Sequence, residues 1–258
     1  MKKRWWLYAV FGLVFYLLFL IIEMPASWCA WGLNYYTHNT VRLDPLSGSL
    51  WRGKGRLVIY YPQTVPHDFG QTEWSINPLW LLTGRVQLTL QTNTPDRQVK
   101  TTLGIAKGSL SIKDTDVAFP ATFVSQLYPP ATLIGPQGQV RLRTSDLVFG
   151  QQNLEGSATL EWQGAGSSLS NVQPLGDYRL EIVGAGKTAN LKLTTLRGVL
   201  DLSGQGQWQL ASGQLQLTGS ATPRERVGEL EPLLKLIGED MGNSKRQLML
   251  NSYLPKLQ

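Results

Sequence analysis

The chain has 258 residues, only 16% of them charged, and a net charge of +6. Its basic residues are scattered, with no basic helix and no arginine-rich run, which argues against a nucleic-acid partner. A single cysteine, Cys29, excludes an internal disulfide and a cysteine metal cluster, so the folded part must hold by packing alone.

Trp5–Ile22 is apolar and uncharged. As a helix it spans about 27 Å, close to the hydrocarbon thickness of a bilayer. Lys2, Lys3 and Arg4 precede it, and the next basic residue is Arg42. The positive-inside rule then places the N-terminus in the cytoplasm and the bulk outside it. Trp5, Trp6 and Tyr8 stand where an interfacial aromatic belt belongs. A cleaved signal peptide also starts basic and apolar, but its apolar run is about 7–15 residues and ends in a small-x-small site. Here Trp28 would fill the −3 position for cleavage after Ala30, and Trp28 beside Cys29 spoils a lipoprotein-type site. An uncleaved anchor is the expectation. The expected organisation is a cytoplasmic tail (1–4), a transmembrane helix (5–22), a membrane-proximal connector (23–42) and an exported β-rich domain (43–258).

In the connector, Trp28, Trp31 and Tyr35 are spaced i, i+3, i+7, one face of a helix leaving the membrane. That face either lies at the interface or docks the domain on its anchor. From Val41 the period becomes two. Gly55–Tyr61, Gly70–Ile76, Arg85–Gln91, Val99–Ile105 and Ser109–Val117 read as strands. Val140 and Leu142 alternate with Arg141 and Arg143, and Leu147–Phe149 extends that strand after an irregularity. Ala158–Trp162, Tyr178–Val183, Leu191–Leu196, Val199–Leu202, Gln207–Leu210, Gln214–Gly219 and Lys245–Asn251 follow, with Tyr253–Gln258 as a loose tail. Glycine-led turns are expected at Lys107-Gly108, Gln137-Gly138, Glu155-Gly156, Arg197-Gly198, Ser203-Gly204 and Ser212-Gly213.

Three segments break the strand pattern. Asn77–Leu82 reads as a short apolar turn or helix capped by Asn77, and Pro120–Tyr128 as a short amphipathic helix. Pro223–Met241 carries a Val227, Leu230, Leu233, Leu234, Ile237 stripe, with Pro232 expected to kink or split it. The fold class expected is mainly β: one transmembrane helix, then a large, mostly antiparallel, curved sheet, groove or sandwich with a few short helices.

Residues for chemistry are sparse. His38 lies near the membrane exit and His67 in a proline-rich loop, and neither belongs to a metal-spaced pair. Gly184-Ala185-Gly186-Lys187-Thr188 imitates the end of a phosphate loop, but Glu181 occupies the position of its leading glycine, so a hairpin is the better account. Asp114/Asp116 and Glu239/Asp240 read as solvated strand-end and helix-end carboxylates. No catalysis, metal or cofactor is expected. Trp51, Trp74, Trp80, Trp162 and Trp208 are read chiefly as core, the alternative being an aromatic-lined groove for a lipid or a partner strand.

The ordered motifs resemble the type II secretion system protein N family. They are the basic start and single span, Pro25-Ala26, Gly48–Gly53, Trp74–Gly84, Leu154-Glu155-Gly156 with Trp162, Leu175–Tyr178, Leu202–Gly206 and the Pro-Leu-Leu pattern of Pro232–Gly238. Thr92–Lys113 carries little of the likeness. The resemblance implies a single-pass inner-membrane protein of a Gram-negative bacterium with its bulk in the periplasm. Its partners would be other secretion subunits and inner-membrane lipids, and it would be an accessory to export of folded proteins across the outer membrane. No catalytic residues carry over. The structural or interaction candidates are Gly48, Trp51, Gly53, Trp74, Pro78 and Trp80, and further on Gly156, Trp162, Gly204 and Gly206. A weaker architectural similarity to the β-groove of AsmA-type proteins implies lipid binding or transfer as the alternative.

Overall fold

The computed structural model of the chain describes residues 5–60, 66–94, 97–127 and 129–253. It divides into two compact units, Met1–Lys100 and Thr101–Gln258.

In the first unit α1 (Trp5–Ile22) and α2 (Ser27–Tyr36) precede four strands: β1 (Val41–Gly48), β2 (Arg52–Ile59), β3 (His67–Ile76) and β4 (Val86–Thr94). Each pairs antiparallel with its chain neighbour. The described side chains of α1 are exposed on every side. Among the described residues no helix is long and apolar enough to cross a membrane. α1 sits at that limit: its 18 residues rise about 27 Å against about 30 Å of hydrocarbon. α2 turns Ala26 and Ala30 inward and leaves Trp28, Trp31 and Tyr35 exposed on the opposite face. It lies along β1, covering an edge that would otherwise offer unpaired backbone groups.

The boundary between the units falls within β5 (Arg97–Ala106). The second unit continues with β6 (Ser109–Lys113), β7 (Thr115–Pro120), α3 (Val124–Leu127), β8 (Pro136–Gly150), β9 (Leu154–Ser167) and β10 (Gly176–Ala185). β11 (Thr188–Gly198), β12 (Leu200–Gln209), β13 (Gln214–Pro223), α4 (Val227–Ile237) and β14 (Arg246–Tyr253) complete it. β5 pairs β6, both β6 and β7 pair β8, and β8 to β14 pair in chain order, all antiparallel. The described strands of this unit form one sheet rather than two stacked ones. The mainly β, antiparallel expectation holds, with few short helices.

Period-two alternation sorts this sheet into faces. Leu142, Leu160, Leu180 and Leu193 stand in register across β8 to β11. One residue along, on the other face, Arg141, Glu161, Arg179 and Thr194 form the matching row. The leucine face is closed at one end by α4, whose Leu230, Leu233 and Leu234 pack with Val172, Leu175, Leu200 and Ala221. A second cluster gathers Leu147, Leu154, Ala158 and Ala189.

Several sequence expectations need correction. Ser109–Val117 is two strands, because Asp114 adopts a left-handed φ of 52° and interrupts the ladder. Val199–Leu202 and Gln207–Leu210 belong to the single strand β12, so Ser203-Gly204 is not a turn. Gln137-Gly138 and Glu155-Gly156 are not turns but lie inside β8 and β9, each glycine facing a bulge in the partner strand: Gly138 faces Gly164 and Ala165 of β9, and Gly156 faces Asp146 and Leu147 of β8. Pro120–Tyr128 resolves into a 3-10 turn, Ala121–Phe123, and the single turn α3; Tyr128 lies outside the described residues. Pro232 does not split α4: burial of Leu230 before it and of Leu233 and Leu234 after it keeps both halves on the sheet. The turns at Lys107-Gly108 and Ser212-Gly213 form with left-handed glycines, and Gly186-Lys187 closes a two-residue hairpin between paired Ala185 and Thr188. β14 ends at Tyr253, and the rest of the expected tail lies outside the described residues.

Candidate functional site

The first-unit candidates gather at one end of the sheet. Gly48 takes φ 97°, and a Cβ there would stand 2.5 Å from the Arg52 carbonyl oxygen, so the turn that reverses β1 into β2 needs glycine. Gly53 lies directly opposite Trp74 in the β2–β3 ladder. A Cβ on Gly53 would come within 2.2 Å of Trp74 Cζ2. Only a glycine lets the indole lie flat across β2, where it is 4% exposed and donates from Nε1 to the Leu50 carbonyl at 3.1 Å.

The loop between these glycines holds the end of α1. The Trp51 Nε1–H donates at 2.7 Å to the Ile21 carbonyl, one of the last four carbonyls of the helix, which also accepts from the Met24 N–H at 3.4 Å. The Leu50 N–H donates to the Met24 carbonyl at 2.8 Å, and the Ala26 N–H to the Gly48 carbonyl at 3.3 Å. Gly48, Trp51 and Gly53 therefore fasten the joint between α1 and α2 to the sheet. Trp51→Phe is expected to weaken this joint by about 1 kcal/mol. Hydrogen exchange at Met24–Ala26 would show it as faster opening with the β-ladders unchanged.

The same end carries an apolar projection. The Ile76 N–H donates to the Trp51 carbonyl at 2.7 Å, and β3 then runs into a 3-10 turn, Pro78–Thr83. Asn77 caps it as expected, its Oδ1 accepting from the Leu79 N–H at 3.1 Å, and Gly84 ends it in the left-handed region at φ 69°. Leu79 is 69% exposed, Leu82 85% and Trp80 38%. Trp80 is thus not a core residue; of the five strand tryptophans only Trp74 is fully buried, and Trp51, Trp162 and Trp208 are half-buried.

The other candidates lie in the second unit and shape its sheet. Gly156 (φ 90°), facing the bulge at Asp146 and Leu147, leaves no room for a Cβ, which would meet the Asp146 carbonyl oxygen at 2.2 Å. Trp162 donates from Nε1 to the Gln137 carbonyl at 2.8 Å, and its ring lies 6.1 Å from that of Tyr178. The Tyr178 hydroxyl donates to the Leu200 carbonyl at 2.9 Å, and burial pushes its phenol above the usual range. A Cβ on Gly206 would stand 2.1 Å from the Gln216 carbonyl oxygen, and one on Gly204 3.0 Å from that of Thr218. Both glycines stand on the leucine face, opposite Gly219 and Leu217, and their bare backbone is what permits this close approach of β13.

The polar face carries a row of ion pairs that sequence reasoning missed. Glu161, with a side chain only 7% exposed, accepts from Arg179 at 2.8 Å and meets Arg143 Nη1 at 3.6 Å. Arg141 grips Asp116 with two donors, and Arg143 reaches the same carboxylate at 3.7 Å. Alternation of Arg141 and Arg143 was visible along β8, but their carboxylate partners come from β7 and β9. Each of these carboxylates is held by two guanidinium groups, Asp116 by Arg141 and Arg143 and Glu161 by Arg143 and Arg179. His38 occupies a left-handed turn (φ 53°), and His67 opens β3. Among the described residues no three His, Cys, Asp or Glu side chains group as metal ligands. Cys29 is half-buried, and desolvation pushes its thiol up, away from the reactive thiolate.

One carboxylate gives a pH handle. Burial alone would raise the Asp177 carboxyl, but the Gly164 N–H at 2.7 Å and the Arg197 guanidinium outweigh it and hold the group below its usual range. A carboxyl depressed in the folded state adds stability above its unfolded value of about 3.9, and that stability is lost as pH falls through the lower folded value. Asp177→Asn should therefore flatten the acid limb of a stability–pH curve while changing little at neutral pH beyond a constant offset.

The family model for type II secretion system protein N matches residues 39–248. The chain belongs to the type II secretion system protein N family. No curated protein and no solved structure matches it. The matched segment begins at the joint before β1 and ends inside β14, so it takes in both β units and leaves α1 and α2 outside. Membership makes the protein an accessory, envelope-associated component of type II secretion, of a family not known for catalysis. As a protein N family member it associates with other components of that system.

Proposed function

We propose that the protein is a non-catalytic component of the secretion machine, anchored in the inner membrane by α1 with its β units in the periplasm. The single observation that carries this reading is the fastening of α1. A helix uncharged and apolar on all sides has no aqueous resting place, and Trp51, Leu50 and Gly48 tie its end to the first sheet. Its length, slightly under the hydrocarbon thickness, is the kind of shortfall that local thinning of the bilayer accommodates. Lys2, Lys3 and Arg4 set its orientation. The exposed aromatic face of α2 and the sheet surfaces are what remain for neighbouring secretion subunits.

The reading is tested by fractionating cells that carry the full chain. Retention in the membrane after carbonate washing is expected. External protease acting on spheroplasts should digest the β units and spare only the N-terminal segment. Mild crosslinking should recover secretion subunits, and deletion should impair export of folded proteins. A chain released by carbonate, or one that recovers no secretion subunit and whose loss leaves export normal, sinks the proposal. The lipid-groove alternative has no support from the comparisons.

A further inference from the structure

We propose that the Pro78–Thr83 turn is a second membrane contact: a short apolar foot that enters the outer leaflet of the bilayer holding α1. This rests on the anchor reading and adds to it.

Trp51 bonds the carbonyl of Ile21 through its ring and the N–H of Ile76 through its own carbonyl. The end of α1 and the end of β3 are thus fixed to one residue. From Ile76 to Leu79 the chain reaches at most about 10 Å. The turn consequently projects beyond the sheet beside the point where α1 emerges. Trp74–Gly84 contains no charge, and the first charged residue beyond it is Arg85.

The turn is also built to be apolar outward and polar inward. Asn77 Oδ1 and the Trp80 carbonyl take up backbone N–H groups within it, the latter from Arg85 at 3.0 Å, and Thr83 donates its hydroxyl to the Trp80 carbonyl at 2.8 Å. A backbone so satisfied can enter a region poor in water. Leu79, Leu81 and Leu82 point outward, exposed, and Trp80 beside them suits the headgroup level. The occupant chosen is the phospholipid surface, because the turn lies beside the helix that this bilayer surrounds. A second copy of the chain or a secretion subunit would need a reason for placing its docking patch at that depth.

The test uses the full chain in vesicles of phosphatidylethanolamine and phosphatidylglycerol, with Cys29→Ser as background. Single cysteines are introduced as Leu82→Cys in the turn, Phe15→Cys in α1 and Pro66→Cys at the opposite end of the first sheet. Each carries an environment-sensitive fluorophore, read against a nitroxide lipid in the bilayer and iodide in the water. The expected result is quenching by nitroxide lipid at positions 82 and 15 several-fold stronger than at 66, with the reverse order for iodide. Lipid contact at 15 with free iodide access at 82 overturns the foot and leaves the anchor standing. Shielding at 82 from both quenchers overturns it in favour of a protein cover. Iodide access at 15 overturns the anchor, and the foot with it.

Discussion

Gly53→Ala is expected to destabilise the first unit by about 1–3 kcal/mol, and to cost almost nothing once Trp74 is alanine. The added methyl carbon would sit 2.2 Å from Cζ2 and 2.7 Å from Cε2 of the indole. Trp74 has little freedom to retreat, because it is buried and its Nε1 is held by the Leu50 carbonyl. The methyl group must therefore push β2 and β3 apart or force the ring off its rotamer. Trp74→Ala alone removes the clash but leaves a cavity of indole size, at about 3–5 kcal/mol. The two changes should then be strongly non-additive, the double variant matching Trp74→Ala. Pulse proteolysis of the full chain in detergent across a urea series measures all three. Additive losses would mean that the two residues do not share the space between them.

Leu234→Ala should cost about 2–5 kcal/mol in the second unit. Leu234 is fully buried with Leu230 and Leu233 against Leu200 and Ala221, and these leucines are the chief hold of α4 on β12 and β13. Val227 and Leu236 on the same helix are exposed, and alanine at Leu236 should change stability by under about 0.5 kcal/mol. Loss of protection across α4 in hydrogen exchange, with Leu236→Ala as the neutral control, reads the difference.

The hairpins, the helix faces and the leucine alternation were legible because each depends on spacing along one stretch of chain. The glycines were not. Gly108 and Gly213 do turn the chain, but Gly138 and Gly156 face bulges in the partner strands and Gly204 and Gly206 make room for the close approach of β13. Nothing local separates these uses, since each is defined by the backbone that faces the glycine from another strand. Glu161 was overlooked for the same reason: its meaning lies in Arg143 and Arg179 on either side. Trp51 was read chiefly as core, and its ring instead reaches back to Ile21, 30 residues earlier. Trp80 carried the opposite error, since an apolar residue in a capped turn looks like core until its exposure is known.

The ladder order also fixes how the molecule can be made. Every described ladder joins strands that are neighbours in the chain, or, for β6 and β8, neighbours but one. Each arriving strand therefore finds its partner already delivered, and no early edge waits for the C-terminus. Short loop closures of this kind are what keeps β-structure from folding slowly. In a chain delivered N-terminus first, folding can keep pace with delivery, one hairpin at a time, starting from the strand that α2 has already sealed.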